Sequence, residues 1–140
     1  MNELESTISQ VIEENFIPFE WNDKIEKELE EINLDTNLPR KDLTKIPFIT
    51  IDGADAKDFD DAVHCFKNKT TYSLSVAIAD VAEIVKLKSA INDEALERGT
   101  SIYFPSKVIP MLPEKISNNL CSLVPNEIRN VLVCLSLIHI

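Results

Sequence analysis

The segment Thr50-Ile-Asp52-Gly-Ala-Asp55-Ala-Lys-Asp58-Phe-Asp60-Asp61-Ala62-Val63 places five aspartates within ten residues. Carboxylates at this density repel one another, so a fold that gathers them needs compensating positive charge. Hard divalent cations such as Mg²⁺ meet that need because they take oxygen ligands. The chemistry within reach is metal-assisted cleavage of a phosphodiester. Two Mg²⁺ ions about 3.5–4 Å apart can clamp the attacking and leaving oxygens, and they draw on several carboxylates to do so. A solvated acidic loop is the alternative for the same residues. Asp52 follows the apolar run Phe48, Ile49 and Ile51, and Asp60-Asp61 lead into Ala62, Val63, Cys65 and Phe66. That setting predicts acids wedged between buried strands.

Asp52, Asp58, Asp60 and Asp61 do not fall at helical spacing. Gly53 and the irregular stretch after it point to a loop that folds back so that separated carboxylates converge. A calcium-binding EF-hand fails on register. With Asp52 as position one, Ala54 and Ala56 occupy the third and fifth positions and Gly53 is misplaced. Asp55 reads as a surface or loop-stabilising acid. Asp80, at a strand end, reads as a helix cap rather than a ligand. His64 and His139 are single histidines on apolar segments with no partner at catalytic spacing.

The elements that would carry this loop are legible in outline. Leu4, Ile8, Val11 and Ile12 predict a short amphipathic helix over 4–15. Asp23 with Glu26 reads as a helix start, followed by Ile25, Leu29 and Ile32 as its apolar stripe. Asn33 to Arg40 reads as a linker closed by Pro39. Tyr72, Leu74, Val76 and Ile78 alternate with Ser73, Ser75, Ala77 and Ala79, which predicts a strand with one strongly apolar face. Asp80-Val-Ala-Glu83 suits a short helical turn. Ser89 opens a further helix that Gly99 closes in the left-handed conformation. Ser101 to Phe104 is strand-like, Pro105, Pro110 and Pro113 forbid long regular structure after it, and Val131 to Ile138 suits a buried strand. The expected fold class is α+β, with a mostly antiparallel sheet and flanking helices.

With 140 residues and 44% hydrophobic content, the chain can bury a modest core of its own. Its formal charge of −10 is unevenly spread: residues 1–35 carry 11 acids against Lys24 and Lys27 alone. The remainder is nearly neutral, so a polyanionic partner is neither demanded nor excluded. The acidic run reads as the solvated face of connecting helices. Cys65, Cys121 and Cys134 are odd in number and lack a C-x-x-C spacing, which argues against zinc and against a disulfide partner. Neither a signal peptide nor an apolar run of about 18–20 residues is present, so a cytoplasmic protein without a membrane partner is expected.

Asp42-Leu43 followed by Thr50 to Ala62 closely resembles the signature of the RNB domain in the ribonuclease II and ribonuclease R exoribonucleases. Val76-Ala-Ile-Ala-Asp-Val81, Arg98-Gly-Thr-Ser-Ile-Tyr-Phe-Pro105, Val108-Ile-Pro-Met-Leu-Pro-Glu114 and Ile116-Ser-Asn-Asn-Leu-Cys-Ser-Leu123 resemble the same family in the same order. The likeness runs over about residues 40 to 134 and leans toward the ribonuclease R branch. It implies an acidic helical connector over 1–39 and the first portion of the catalytic domain over 40–140. The implied activity is hydrolytic 3′→5′ release of nucleoside 5′-monophosphates from the 3′ end of single-stranded RNA, with Mg²⁺ as cofactor. Asp52, Asp58 and Asp61 match positions that hold Mg²⁺, and Asp60 matches the carboxylate most directly essential to the chemistry. Tyr103 matches an aromatic clamp on the RNA bases. Residue patterning alone would place Tyr103 in the core, as it does Trp21 and Phe104.

Several parts of the family pattern have no match here. The later catalytic segments, with an arginine and a product-driving glutamate, are missing from the sequence, as are the cold-shock and S1 domains. Leu135 to Ile140 depart from the pattern, and one reading frame of a common sequencing adapter would encode that hexapeptide. The expectation is a fragment, inactive by itself. Two other readings compete: an RNA-binding or regulatory module without turnover, and a calcium-stabilised structural domain.

Overall fold

The computed structural model describes residues 3–32 and 39–139. It is α+β, and its strands pair antiparallel. The chain divides into two compact units. One contains the described residues up to Ile32 together with Val85–Pro113, and the other the described part of Asn33–Ile84 with Glu114–Ile140. The predicted linker falls largely on residues 33–38, outside the described residues.

In the first unit, helix α1 (Glu3–Glu14) buries Ile8 and Ile12, while Leu4 and Val11 stay exposed. Ile8 and Ile12 join Ile109 in a small core, with Ile17, Ile102 and Phe104 packed against it. Helix α2 (Asp23–Glu31) starts one residue earlier than its D-x-x-E pattern suggests. Asn22 is the cap, its side-chain oxygen accepting from the Lys24 and Ile25 amides at 3.1 and 3.2 Å. Either residue type can cap a helix, and here Asn22 holds the position from which a side-chain oxygen reaches the first free amides. Ile25 and Leu29 are buried, as the stripe predicts.

Helix α4 (Ala90–Arg98) has the expected ends. Ser89 accepts from the Asn92 amide, and Gly99 adopts φ 70° with its N–H donating to the Ala95 carbonyl. A side chain at Gly99 would be strained by that dihedral angle. Glu28 adds a second cap, accepting from the Ala90 and Ile91 amides at 2.7 and 3.0 Å. Desolvation pushes the Glu28 carboxyl upward, but those amides and the Ser89 hydroxyl outweigh it and hold it below the ordinary glutamate value. Strands β3 (Ile102–Phe104) and β4 (Lys107–Ile109) form a two-stranded ribbon turning at Pro105. Pro110 follows β4 directly, consistent with the proline spacing.

The second unit is built on a three-stranded sheet in the order β1 (Asp61–Lys67), β2 (Thr71–Ala79), β5 (Val131–His139). Its register aligns Ala62, Ala77 and Val133 across the three strands. On β2 the more deeply buried positions are those of the small residues. Ser75, Ala77 and Ala79 are buried, whereas Ile78 is 47% exposed. Alternation shows that the two faces differ, and which of them is covered depends on what packs against the sheet. β5 departs from expectation. It forms as a strand, but Leu132, Leu135, Leu137 and Ile138 are all exposed, and its outer edge has no strand beside it among the described residues. Short helix α3 (Val81–Ile84) follows β2, and a π-helical turn spans Ile116–Leu120. Among the described residues no helix is long and apolar enough to cross a membrane.

Candidate active site

The aspartate loop belongs to the second unit and lies at the molecular surface rather than between buried strands. Ile49 makes only an isolated bridge to Val63, and Ile51 is 79% exposed. The expected strand before Asp52 is thus one bridge long. The other flank is as expected, since β1 begins at Asp61. Between them the chain turns at Gly53, where the Ala56 amide donates to the Gly53 carbonyl at 3.1 Å. Gly53 does not adopt a positive φ, and an added Cβ would sit 3.4 Å from Asp55 Oδ1, an ordinary contact. The fold-back therefore does not depend on glycine's conformational freedom.

Asp52, Asp60 and Asp61 are exposed, and Asp58 is half-buried. Their mutual influence converges on Asp60. Its carboxyl is pushed above the ordinary aspartate range, first by desolvation and then by the charges of Asp58, Asp61 and Asp52 in that order. The other three sequence-identified acids therefore all act electrostatically on Asp60. Among the described residues, however, no three His, Cys, Asp or Glu side chains are already arranged to hold a metal ion. In kind, the donors suit a hard dication, being carboxylate oxygens whose repulsion such a charge would relieve. Asp55 is exposed at the turn and does not contribute to the Asp60 shift.

The loop is held from behind by a residue to which the sequence analysis gave no role. Ser122 is fully buried. Its hydroxyl donates to the Lys57 carbonyl at 2.7 Å and accepts from the Phe59 amide at 3.1 Å, bracketing Asp58. The Leu123 amide donates to the Phe59 carbonyl at 2.9 Å, and the Ala79 amide donates to the Asp60 carbonyl at 2.9 Å. The π-helical turn sets Ser122 in place: the Cys121 amide reaches back to the Ile116 carbonyl, and the Ser122 amide to that of Asn119. Such turns recur at functional sites. Arg129 Nε donates to the carbonyls of Asn119 at 3.3 Å and Ser122 at 3.0 Å, locking the turn. The one available signal was the Ile116–Leu123 motif itself, because a lone serine has no periodicity to reveal a partner 65 residues away.

Asp80 does not cap a helix with its side chain. Its carboxylate pairs with Arg40 at 2.8 Å, and Arg40 also contacts Glu83. Asn130 Nδ2 donates to Glu83 at 2.9 Å, completing a network beside the sheet. These acids, with Cys121 and Arg129, line a cleft of about 220 Å³ that none of the four loop aspartates touches. His64 Nδ1 lies 3.3 Å from the Pro47 carbonyl and its ring meets Phe48 edge-on, so it serves packing. In the first unit, Trp21 is covered by Arg98 and Phe104 packs on the small core, in keeping with structural roles. Tyr103, by contrast, is 66% exposed on β3 and is not a core residue.

Comparison with known proteins adds a second line of observation. The sequence pattern of the RNB domain matches residues 40–139. Ribonuclease R of Vibrio parahaemolyticus is 50% identical over 123 residues, covering 84% of this chain and 15% of that protein. In three dimensions the chain is similar to Mycoplasma genitalium RNase R in complex with double-stranded RNA. The TM-score is 0.89 at 40% identity, over 96% of this chain and 25% of that one. It is also similar to Mycoplasma genitalium RNase R in complex with ribose methylated single-stranded RNA, with a TM-score of 0.88 at 40% identity over 96% and 22% of the two chains. The chain thus spans about 15% of the length of the curated relative.

Proposed function

Because the chain belongs to the RNB domain family, we propose that it forms part of a hydrolytic 3′→5′ exoribonuclease that shortens single-stranded RNA to nucleoside 5′-monophosphates. The observation that carries this reading is the gathering of Asp58, Asp61 and Asp52 around Asp60, whose carboxyl is raised by partial desolvation and by those three charges. Such a cluster costs stability unless a cation offsets it, and it stands where the family signature falls. Asp52, Asp58, Asp61 and Asp60 would together hold Mg²⁺, with Asp60 also the carboxylate most directly engaged in the chemistry. When bound, Mg²⁺ supplies charge that offsets the negative charge developing on the scissile phosphate. Exposed Tyr103 offers a face on which a base can stack whatever its identity, which suits digestion of any sequence. Three free thiols suit a reducing cytoplasm.

The arginine and glutamate of the family's later segments have no match in these residues, so the chain alone is expected to release no nucleotide. The test replaces the matching segment of the Vibrio parahaemolyticus relative with residues 40–134. The chimera should liberate mononucleotides from end-labelled single-stranded RNA in Mg²⁺, and Asp60→Asn should abolish release. A folded chimera that releases nothing contradicts the reading. A second reading, RNA binding without turnover, draws on the lack of a ready-made ligand group among the described residues. It requires RNA binding that chelation leaves unchanged, with no product.

A further inference from the structure

We propose that Ser122 is a positioning residue for the aspartate loop, fixing the backbone on both sides of Asp58 and thereby setting the affinity of the loop for a divalent cation. The inference rests on the metal-binding reading above and adds to it a residue that carries no charge and is not itself a ligand. A serine hydroxyl has one proton to give and lone pairs to receive. Here both are used on one short stretch of chain, toward the Lys57 carbonyl and from the Phe59 amide. Those two groups flank a half-buried carboxylate in a segment with no regular secondary structure of its own.

The attachment is rigid at its far end. Ser122 is completely buried, its amide is bonded within the π-helical turn, and its carbonyl accepts from Arg129. Leu123 extends the same attachment to the Phe59 carbonyl, so residues 57 to 59 are tied at three backbone atoms. Bringing four like-charged side chains onto one cation costs free energy through repulsion and through ordering of the loop. A backbone already fixed has less ordering left to lose. Outer contacts that orient ligands typically change metal affinity 10–100-fold when removed. Coupling of this kind is reciprocal: if the Ser122 contacts favour the cation, the cation must favour the Ser122 contacts.

The experiment titrates Mg²⁺ into the purified chain by calorimetry, in parallel with Ser122→Ala, Ser122→Cys and Ser122→Thr, and records each metal-free melting temperature separately. Ser122→Ala and Ser122→Cys should weaken Mg²⁺ binding about tenfold or more, while Ser122→Thr, which keeps the hydroxyl, recovers most of the loss. A serine that serves only stability would lower the metal-free melting temperature and leave the affinity unchanged. Equal Mg²⁺ affinity in a folded Ala or Cys variant therefore overturns the proposal while leaving the metal-binding reading intact. No Mg²⁺ binding by the unaltered chain overturns both. Hydrogen exchange on the unaltered chain gives a check that needs no variant. Saturating Mg²⁺ should slow exchange of the Phe59 amide about tenfold by reciprocity, and an unchanged rate overturns the proposal.

Discussion

Arg98 places its guanidinium carbon 3.6 Å from the centroid of the Trp21 ring. The same group binds Glu94 Oε1 at 2.9 Å and the carbonyls of Pro110 and Glu20 at 3.1 and 2.9 Å, with its side chain only 3% exposed. A planar cation that stacks and donates in several directions cannot be replaced by a point charge. Arg98→Lys and Arg98→Ala should each cost about 2 kcal/mol or more, from lost stacking and from polar groups left unsatisfied. Trp21 is the only tryptophan in the sequence, so its emission during chemical denaturation reads this loss directly.

The Asp60 carboxyl fixes the sign of a pH dependence. Its native value lies above the ordinary aspartate range because of desolvation and the neighbouring acids. The folded state therefore holds the proton more tightly than the unfolded one. Its contribution to stability is greatest below the ordinary aspartate range and is lost as pH rises from there through the raised native value. Asp60→Asn removes this term, so it should raise the metal-free melting temperature at neutral pH and flatten the decline. It should also remove stabilisation by Mg²⁺, which in the unaltered chain grows with pH as the carboxylates ionise. Thermal melts from pH 3 to 8 on both chains, with and without Mg²⁺ (roughly the range over which carboxylates titrate), check each sign.

Much of this arrangement was legible because it is local. Ser89 and Gly99 mark the ends of α4 through bonds that span a few residues, and those bonds are encoded where they form. The aspartate run stood out by composition, and the resemblance to the RNB signature supplied the chemistry expected of it. What stayed hidden depends on the partner segment. Tyr72 to Ala79 declared a two-faced strand, but only the fold shows that the small-residue positions are the more buried. The expectation of a buried Val131 to Ile138 failed for the same reason: hydrophobicity states a need for cover and does not supply it. Ser122 acts across a long sequence separation with no pattern, and only folding brings it to Lys57.

Tyr103 offers a separable test of the RNA contact. Because it is 66% exposed, Tyr103→Ala should leave the circular dichroism spectrum and the melting temperature nearly unchanged. In the chimera the same change should weaken binding of a labelled oligoribonucleotide by about 1–3 kcal/mol, with little dependence on base sequence. Fluorescence anisotropy with homopolymeric oligonucleotides measures this, and unchanged affinity removes Tyr103 from the proposed contact.

The three thiols should respond unequally to alkylation. Burial, followed by the charges of Asp60 and Asp80, pushes the Cys121 thiol up to about 11 against the opposing influence of Arg129. Cys65 and Cys134 are exposed. Iodoacetamide at about pH 8, near the ordinary thiol range, should modify those two promptly and spare Cys121 until the chain is denatured. Intact-mass spectrometry separates the two stages, and early modification of Cys121 would place it outside its buried setting.

Among the described residues no strand pairs with the outer rim of β5, and Leu132, Leu135, Leu137 and Ile138 on that strand stand in water. An unguarded rim of this kind is a template for further strands, and its greasy side chains favour dry stacking of one such sheet on another. Concentrated solutions of the chain should therefore shed β-rich aggregate sooner than its charge of −10 would suggest. Lysine at Leu135 and Leu137 should delay that loss without disturbing the aspartate loop, making such a variant the practical starting point for handling the protein.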